Sequence, residues 1–439
     1  MLIVDKYILP PSPEHFLILK YILILMLMIH LPFVSMLIGG TFFSVVFNIL
    51  DKKKQNRIYL NFANDLIDTV AVNRSVGFIL GVVPMLVVTL IYTQILYTVN
   101  VSAVNFLIYS LILLLLGFTS LYFYKYTFHL REAVFGVHIF SGILGIIFFL
   151  AAYFIFSISF SLLLDPGEWR FVKNPVELIS YWNAVSKYLY FIVSSLAITG
   201  GGILFFFFHW PERKIDHDSE YSGFIKNFGL ILALIFTLLQ PVLCLWNLAT
   251  LPEIAISQEV FGFSAIALFL SLVISYMLCA MLKNPEKKLG VHIFSLFLLT
   301  FLITALNDQT TFYNTIKEHI VLMAVRAEEP SSELKIRELT GAAEEAQVNV
   351  KKGEMVFNSI CSACHSFDRR AVGPPFKMVL PKYQNKEDEL KTFVRNPSKK
   401  NPGYPSMPKL GLKEDEIASV AAYLLQRLQT ESQKQDISK

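Results

Sequence analysis

Residues 16–49 read FLILKYILILMLMIHLPFVSMLIGGTFFSVVFNI, and Lys20 is the one lysine, arginine, aspartate or glutamate among these 34 residues. An apolar run of about 20 residues is long enough to cross the hydrocarbon core of a bilayer as a helix. This run is longer, and it contains Pro32 and the pair Gly39–Gly40, which predict a kink or a close helix contact. The segment is therefore expected to be a membrane-spanning α-helix, and it sets the class of the fold.

Comparable runs recur along the chain. Of its 439 residues, 54% are hydrophobic and 16% are charged, a balance that a water-soluble protein of this size does not need. The first residues lack a basic region and a small-residue cleavage site, so no removable signal peptide is predicted. Residues 1–326 are expected to form an all-α membrane domain. Its eight predicted helices lie near residues 16–49, 75–97, 102–124, 134–162, 184–208, 222–248, 259–282 and 289–306.

The basic residues of the loops predict the orientation of these helices. The loops after the second, fourth and sixth helices carry two, Arg170 and Lys173, whereas the other loops carry thirteen. Because basic loops stay in the cytoplasm, both ends of the chain are expected outside it, in the periplasm of a bacterial inner membrane. The thirteen residues are Lys52, Lys53, Lys54, Arg57, Arg74, Lys125, Arg131, Arg213, Lys214, Lys226, Lys283, Lys287 and Lys288.

The hexapeptide GVHIFS occurs twice, at Gly136–Ser141 and at Gly290–Ser295. Because the copies open the fourth and eighth helices, they predict two parallel four-helix repeats related by an axis along the membrane normal. That axis would place His138 and His292 on facing sides of a central pocket, as the two ligands of a b-type haem. The alternative is that both lie at the cytoplasmic interface. His30, within the first helix, is a candidate ligand for a b haem nearer the outer face.

The composition becomes polar after residue 326. Residues 327–350 read as a linker or a short exposed helix, residues 351–430 as a small soluble domain, and residues 431–439 as a polar tail. Counted over residues 351–427, the small domain holds 14 Lys or Arg and 8 Asp or Glu, a net charge of +6. Such a surface favours an acidic redox partner, although solubility and contact with anionic lipid head groups explain it equally well.

A motif with a specific chemistry lies in the small domain, at Cys361, Cys364 and His365 in SICSACHSF. The C-x-x-C-H spacing lets both thiols add to the vinyl groups of a haem while the next imidazole reaches the iron. A zinc site would need two more ligands, and the domain has no other Cys or His. Cys244 and Cys279 lie in apolar helices, where a cysteine is usually a small core residue.

With this motif the domain resembles the class I c-type cytochromes over about 77 residues. Gly353 and Phe357 match the helix that leads into the motif in that family. Gly373–Pro375 match the loop whose proline carbonyl orients the ligating imidazole, and Tyr423 matches the aromatic residue of the last helix. The resemblance implies a small α-helical domain that carries one covalently bound haem c.

The second axial ligand of that haem is expected to be a thioether, because Met/His ligation raises the reduction potential. Met407 lies between prolines in YPSMPKLG, on an extended segment before the last helix, as the resemblance implies. Met355 and Met378 are the alternatives. The predicted metal ligands are therefore His365 and Met407.

Together these features predict an electron-transfer protein that passes electrons between the quinone pool and periplasmic redox partners, or other respiratory-complex subunits, through haem b and haem c. In the outer loop after the fourth helix, Glu168 is a candidate proton acceptor, Arg170 a candidate for polarising a quinone carbonyl, and Trp169 a candidate for packing on the ring. The alternative for these three is an ordinary interfacial belt of aromatic and charged residues.

Two other functions are compatible with the sequence. The helices would merely anchor the cytochrome or scaffold a larger complex, or the chain would be a subunit of a terminal oxidase. The second follows from a loose resemblance of the membrane part to cytochrome bd-like and b-type respiratory proteins, in architecture and scattered histidines. The scarcity of acidic residues in the spans disfavours it. The sequence contains no motif for binding nucleotides or nucleic acids.

Overall fold

The computed structural model describes residues 13–96, 102–166, 181–210, 220–284, 288–340, 349–399 and 403–437. All regular elements within these ranges are helical. Eight helices are long and apolar enough to cross a membrane, and a small helical unit follows them. The chain divides into two compact units, one of residues 17–315 and one that contains the chain from Ile316 onward. The predicted all-α class with eight membrane helices is confirmed.

The predicted spans correspond to helices along the chain, and a π-helical turn, Phe78–Val82, joins α3 to α4 as one span. The helices of the membrane part are α1 (Pro13–Lys54), α2 (Arg57–Val70), α3 (Arg74–Gly77), α4 (Val83–Ile95), α5 (Ser102–Tyr126), α6 (Phe135–Leu163), α7 (Trp182–Phe206), α8 (Glu220–Ala249), α9 (Gln258–Lys283) and α10 (Gly290–Thr340).

The amphipathic helix α2 was not among the predicted helices. Asn56 caps it, since the Asn56 side chain accepts a hydrogen bond from Ile58 N at 2.9 Å. Its apolar residues recur at helical spacing and bury one face, while its polar residues lie on the other. Only that one-sided burial stabilises so short a helix. The buried residues are Phe62, Ala63, Leu66, Ile67 and Val70.

The helix α10 continues well beyond residue 306, where the sequence-based prediction ended it. Its middle contains the polar run Asn307, Asp308 and Gln309, which interrupts the apolar pattern. Within the fold this run is helical and bonded to neighbouring helices. Gln309 Nε2, for example, donates to Tyr92 Oη at 3.0 Å. Buried partners make these side chains compatible with a span, so the polar run does not end the helix.

The glycine pairs of α1 and α7 bring these two helices into close contact. A Cβ atom at Gly39 would lie 2.9 Å from Thr199 Cβ, and one at Gly202 would lie 2.5 Å from Met36 Cε. In each helix, a glycine therefore lies against a side chain of the other helix. The predicted close contact is confirmed. Reciprocal contacts of this kind are expected where two halves are related by a twofold axis.

The C-terminal unit is a small helical domain. Its helices are α11 (Val350–Val356), α12 (Phe376–Val379), α13 (Glu387–Arg395) and α14 (Glu414–Ile437), and a π-helical turn, Phe357–Cys361, follows α11. α11 crosses α14 where Gly353 meets Ser419, and a Cβ atom at Gly353 would lie 2.6 Å from the Ser419 carbonyl carbon. This crossing closes a compact apolar core, which includes Phe357, Phe367, Phe376, Tyr383, Leu390, Val420, Tyr423 and Leu424.

Candidate functional site

The three residues of the attachment motif are held in one turn. The chain enters it from α11, whose first amides Lys351 N and Lys352 N donate to the Asn349 side chain at 3.0 and 3.3 Å. At the end of the π-helical turn, the Cys361 carbonyl accepts hydrogen bonds from Cys364 N at 3.2 Å and His365 N at 2.9 Å. The backbone therefore presents both thiols and the imidazole from a single loop.

A proline carbonyl orients the imidazole of His365. His365 Nδ1 lies 3.0 Å from Pro374 O, and since a carbonyl can only accept, Nδ1 carries the proton. The other nitrogen, Nε2, then keeps the lone pair that binds a metal. Gly373 N donates to Cys364 O at 2.6 Å, which ties the proline loop to the motif. The predicted Gly373–Pro375 loop thus lies beside His365.

Two further contacts fix the ring. It stacks on Phe376, with the ring centroids 4.7 Å apart and the planes at 22°. Gly373 lies close to the imidazole, and a Cβ atom there would lie 2.6 Å from Nδ1. Burial lowers the pKa of His365, and the hydrogen bond to Pro374 raises it by less. The neutral form, the one able to bind a metal, is therefore favoured.

These residues fit a covalently bound haem. Within the described residues Cys361 and Cys364 form no disulfide, and the first is buried while the second is half-buried. Val372, the residue before the Gly373–Pro375 loop, is 55% exposed, so an apolar side chain lies uncovered at the surface beside the loop that orients His365. Two thiols, one neutral imidazole and an uncovered apolar surface match the chemistry of that cofactor.

The three methionines lie in different surroundings. Met355 is half-buried at the end of α11, and Met378 is exposed on α12. Met407 is half-buried on the extended segment before α14. Arg370, five residues after His365, holds that segment to the attachment loop. Its guanidinium lies 4.8 Å from the Tyr404 ring centroid, and its Nη2 donates to Gly403 O at 3.3 Å.

Of the histidines predicted to bind a b haem, His138 is fully buried near the start of α6. Its Nε2 lies 3.0 Å from Asn48 Nδ2, and its Nδ1 lies 3.0 Å from Thr127 Oγ1. Its ring stacks on Tyr124, with centroids 4.3 Å apart. Both ring nitrogens therefore have protein partners, as in a histidine that joins helices α1, α5 and α6.

The other two histidines lie elsewhere. His292, in the first turn of α10, is exposed, whereas its repeat equivalent His138 is enclosed. His30 is buried on α1, hydrogen-bonds to the Gly81 backbone, and has a buried Nδ1 atom without a partner. Along α1, His30 and Asn48 are 18 residues apart, about 27 Å at 1.5 Å per residue. The three histidines thus belong to separate surroundings in the described parts of the chain.

The candidate quinone residues Glu168, Trp169 and Arg170 lie outside the described residues. Sequence reasoning missed a buried charge pair in the spans, in which Lys187 Nζ lies 2.5 Å from Asp308 Oδ1. The two residues are 121 positions apart, so their pairing has no local signal. The detectable sign was one acid and one lysine within otherwise apolar helices.

The comparisons with known proteins agree with the C-terminal geometry. Residues 348–424 match the family model described as "Cytochrome C oxidase, cbb3-type, subunit III". Neither the curated proteins nor the solved structures give a match, and no finding supports the resemblance of the membrane part to cytochrome bd-like proteins. The chain thus joins a C-terminal cytochrome c domain, a domain that carries covalent haem c and transfers electrons, to eight membrane helices.

Proposed function

We propose that this protein passes electrons between the membrane quinone pool and a redox partner outside the cytoplasm, through a haem c in its C-terminal domain. The observation that carries the proposal is the attachment loop, in which Cys361, Cys364 and an imidazole oriented by Pro374 lie within a domain matched by a cytochrome c family model. Membrane quinones are the usual electron source beside a membrane-bound cytochrome.

A haem c bound in this loop would take up or release one electron at its iron. The thiols of Cys361 and Cys364 would hold it covalently, and His365 Nε2 would bind the iron from one side. Burial favours the neutral imidazole, and the hydrogen bond to Pro374 O keeps the proton on Nδ1. The core residues Phe357, Phe367 and Phe376 would exclude water from that side.

We propose an acidic partner for the exposed face of this domain. Basic residues follow both predicted ligands: Arg369 and Arg370 come after His365, and Lys409 comes after Met407. All three lie in loops, and Arg369 and Lys409 are exposed. A positive surface around the redox centre would attract a negatively charged partner and speed its association at low salt.

The charge bias of the loops supports a periplasmic location for this domain in a bacterial inner membrane. An amine reagent that does not cross membranes, added to intact spheroplasts, is expected to label lysines within residues 351–427. If labelling required lysis of the cells, the domain would lie in the cytoplasm and the proposed direction across the membrane would be wrong.

The decisive experiment uses the purified full-length protein in lipid vesicles. A hydroquinone added to the oxidised protein is expected to reduce haem c at a rate that saturates with hydroquinone concentration. A soluble one-electron reductant shows in parallel that the haem is competent. If that reductant works and the hydroquinone does not, the membrane part is an anchor or scaffold and the proposed electron source is wrong.

The pyridine haemochrome spectrum tests the predicted b haem. Mixed b and c bands are expected if the membrane part binds haem, and His138→Ala and His292→Ala are then each expected to remove the b band and leave the c band. His15→Ala is the control, since it changes a histidine near the start of α1 that is not a predicted ligand. A b band that persists in both variants would make the ligand assignment wrong, and a spectrum with c bands only would support the anchor.

Met407→Ala is expected to remove the thioether ligand and to lower the reduction potential by at least ~0.1 V, within the roughly 0.8 V range that axial ligands control. Met378→Ala is the matched control, because Met378 lies in the same domain and is exposed on α12. Redox titration measures both. A shift in the Met378 variant and none in the Met407 variant would exchange their assignments.

A further inference from the structure

A cavity lies within the membrane part, between α7, α8, α9 and α10. Phe191, Phe263, Phe297 and Phe301 give it aromatic walls. Several polar side chains also line it, namely Lys187, Gln240, Asn247, Asn307 and Asp308. Ligand sites commonly combine apolar walls with a few convergent polar groups, and none of these five residues belongs to the haem site.

The charged pair of the cavity lies near one membrane surface. Asp308 is 18 residues into α10, about 27 Å along a helix that rises 1.5 Å per residue, close to the ~30 Å thickness of the hydrocarbon core. Lys187 is only five residues into α7. Because Lys187 contacts Asp308, α7 begins on the side of the membrane that α10 approaches at Asp308. The pair therefore lies towards the surface at which α10 leaves the membrane, where a quinone head group resides.

Lys187 and Asp308 are both largely buried, with side chains 6% and 17% exposed. The ammonium also lies 4.4 Å from the centroid of the Phe160 ring. Charges inside spans are costly, and they usually mark a functional position. Both residues line the cavity, so a bound molecule would lie beside a strong donor and a strong acceptor.

Two of the residues that line the cavity carry a buried acceptor atom that lacks a donor among the described residues. Gln240 is 2% exposed; its Nε2 lies 3.4 Å from Ser194 Oγ, and its Oε1 has no partner among the described residues. Asn307 is similar, since its Nδ2 donates to Ser264 Oγ at 3.4 Å and its buried Oδ1 has no partner. Buried polar atoms are normally satisfied, so these two atoms point to a ligand with hydroxyl donors.

We propose that this cavity binds the head group of a hydroquinone and of the corresponding quinone. The hydroxyl groups of the reduced form donate to Asp308, Gln240 and Asn307, while Lys187 donates to a ring oxygen. The phenylalanine walls pack on the ring. The choice of a quinone as the ligand rests on the proposed function. The binding site for this electron donor then lies among residues within the spans.

A lipid phosphate is a poorer fit to the same groups. It would pair with Lys187, but it would bring negative charge against Asp308, and it has no hydrogen-bond donor at neutral pH for Gln240 or Asn307. A dihydroxy ring matches both kinds of group and is neutral. The chemistry of the lining therefore favours the hydroquinone over a lipid phosphate group.

The test measures binding and electron transfer separately in the full-length protein. The probe is a decyl-substituted benzoquinone. Equilibrium dialysis of the detergent-solubilised protein, with haem c already reduced and oxygen excluded, gives the affinity of the hydroquinone form of the probe. Stopped-flow absorbance gives the rate at which that form reduces oxidised haem c. Gln240→Leu and Asp308→Asn are each expected to weaken binding at least tenfold and to slow reduction at low probe concentration by a similar factor.

Two control variants separate the site from general effects on the fold. Gln309→Leu removes a buried glutamine that bonds to Tyr92 and does not line the cavity. Asp51→Asn breaks the buried pair with Arg131, in which Asp51 Oδ2 lies 2.6 Å from Arg131 Nη2. Both controls are expected to bind the probe like the wild type. Because Asp308→Asn leaves Lys187 unpaired, the double variant Lys187→Met with Asp308→Leu supplies a neutral replacement if the single variant misfolds.

The outcomes of this test distinguish a failure of the proposed site from a failure of the proposed function. If the hydroquinone reduces haem c and none of the cavity variants changes affinity or rate, the site is wrong and the function stands. If the wild type binds the probe, the cavity variants weaken binding, and haem c stays oxidised, the site stands and the electron source is wrong. Binding that phospholipid abolishes in competition would identify a lipid site and overturn the inference.

Discussion

Changing Cys361 and Cys364 together to alanine is expected to abolish covalent haem entirely. Each thiol supplies one of the two bonds to the haem vinyl groups, and the described part of the C-terminal unit contains no other cysteine. The intact mass of the purified protein should then equal that of the polypeptide alone. The haem c bands should disappear from the pyridine haemochrome spectrum.

The chain provides the matched control for this experiment. Cys244 and Cys279 lie on α8 and α9, and changing both to alanine removes the same number of thiols. That variant is expected to keep the full haem mass and an unchanged c spectrum. If haem stays attached in the Cys361/Cys364 variant, or if the control loses it, the assignment of the attachment site would be wrong.

Changing only His365 to alanine separates attachment from ligation. The thiols remain, so the mass of the haem is expected to stay with the protein. The iron loses the imidazole that Pro374 orients, and its low-spin spectrum should change to a high-spin one. An unchanged spectrum would show that another residue supplies the axial nitrogen.

Gly353→Ala is expected to destabilise the C-terminal domain by about 1–3 kcal/mol, the usual cost of overpacking a core. The added Cβ atom would lie 2.6 Å from the Ser419 carbonyl carbon, 2.8 Å from Tyr423 Cβ, and closer still to Ser419 O. Because Ser419 contributes backbone atoms of α14 to this contact, no side-chain rotation relieves the overlap. The two helices must move apart and disrupt the packing of Tyr423 on Phe357, whose ring centroids are 5.5 Å apart.

Denaturant unfolding of the full-length protein, followed through the haem absorbance, measures this effect. Glu354→Ala is the control, because Glu354 is the next residue of the same helix and is exposed. Its midpoint is expected to match the wild type closely, whereas that of Gly353→Ala falls. Equal midpoints for all three proteins would show that α11 and α14 do not need this close approach.

Much of the site was accessible from local sequence, because haem attachment is a local chemistry. Cys361, Cys364 and His365 share one turn, and the Gly373–Pro375 loop is only eight residues further along the chain. The structure adds the hydrogen bond from His365 to Pro374 and the stacking on Phe376. The family resemblance already implied the proline contact, whereas the stacking on Phe376 was not expected from the sequence. The hydrogen bond to Pro374 leaves Nε2 as the ring nitrogen available to an iron.

The sequence did not indicate how differently the two repeated histidines are buried. The repeated GVHIFS hexapeptide predicts equivalent surroundings for His138 and His292, yet the first is fully buried and the second is exposed. A short repeat shows only that two segments have the same local sequence. The residues that surround each segment come from other helices. Asn48 and Tyr124, which contact His138, are 90 and 14 residues away from it.

By itself the sequence determined the membrane class, the eight spans, the small helical domain and the haem-attachment motif. Each of these depends on residues that are close together in the chain, since hydrophobicity, helix length and motif spacing are local properties. Tertiary structure alone decided that α10 continues through its polar middle, that Lys187 pairs with Asp308, and that Gly353 lies against Ser419. Those features depend on which distant helices become neighbours. A buried polar residue is costly unless a neighbouring helix supplies its partner. A small residue is necessary where two helices approach closely.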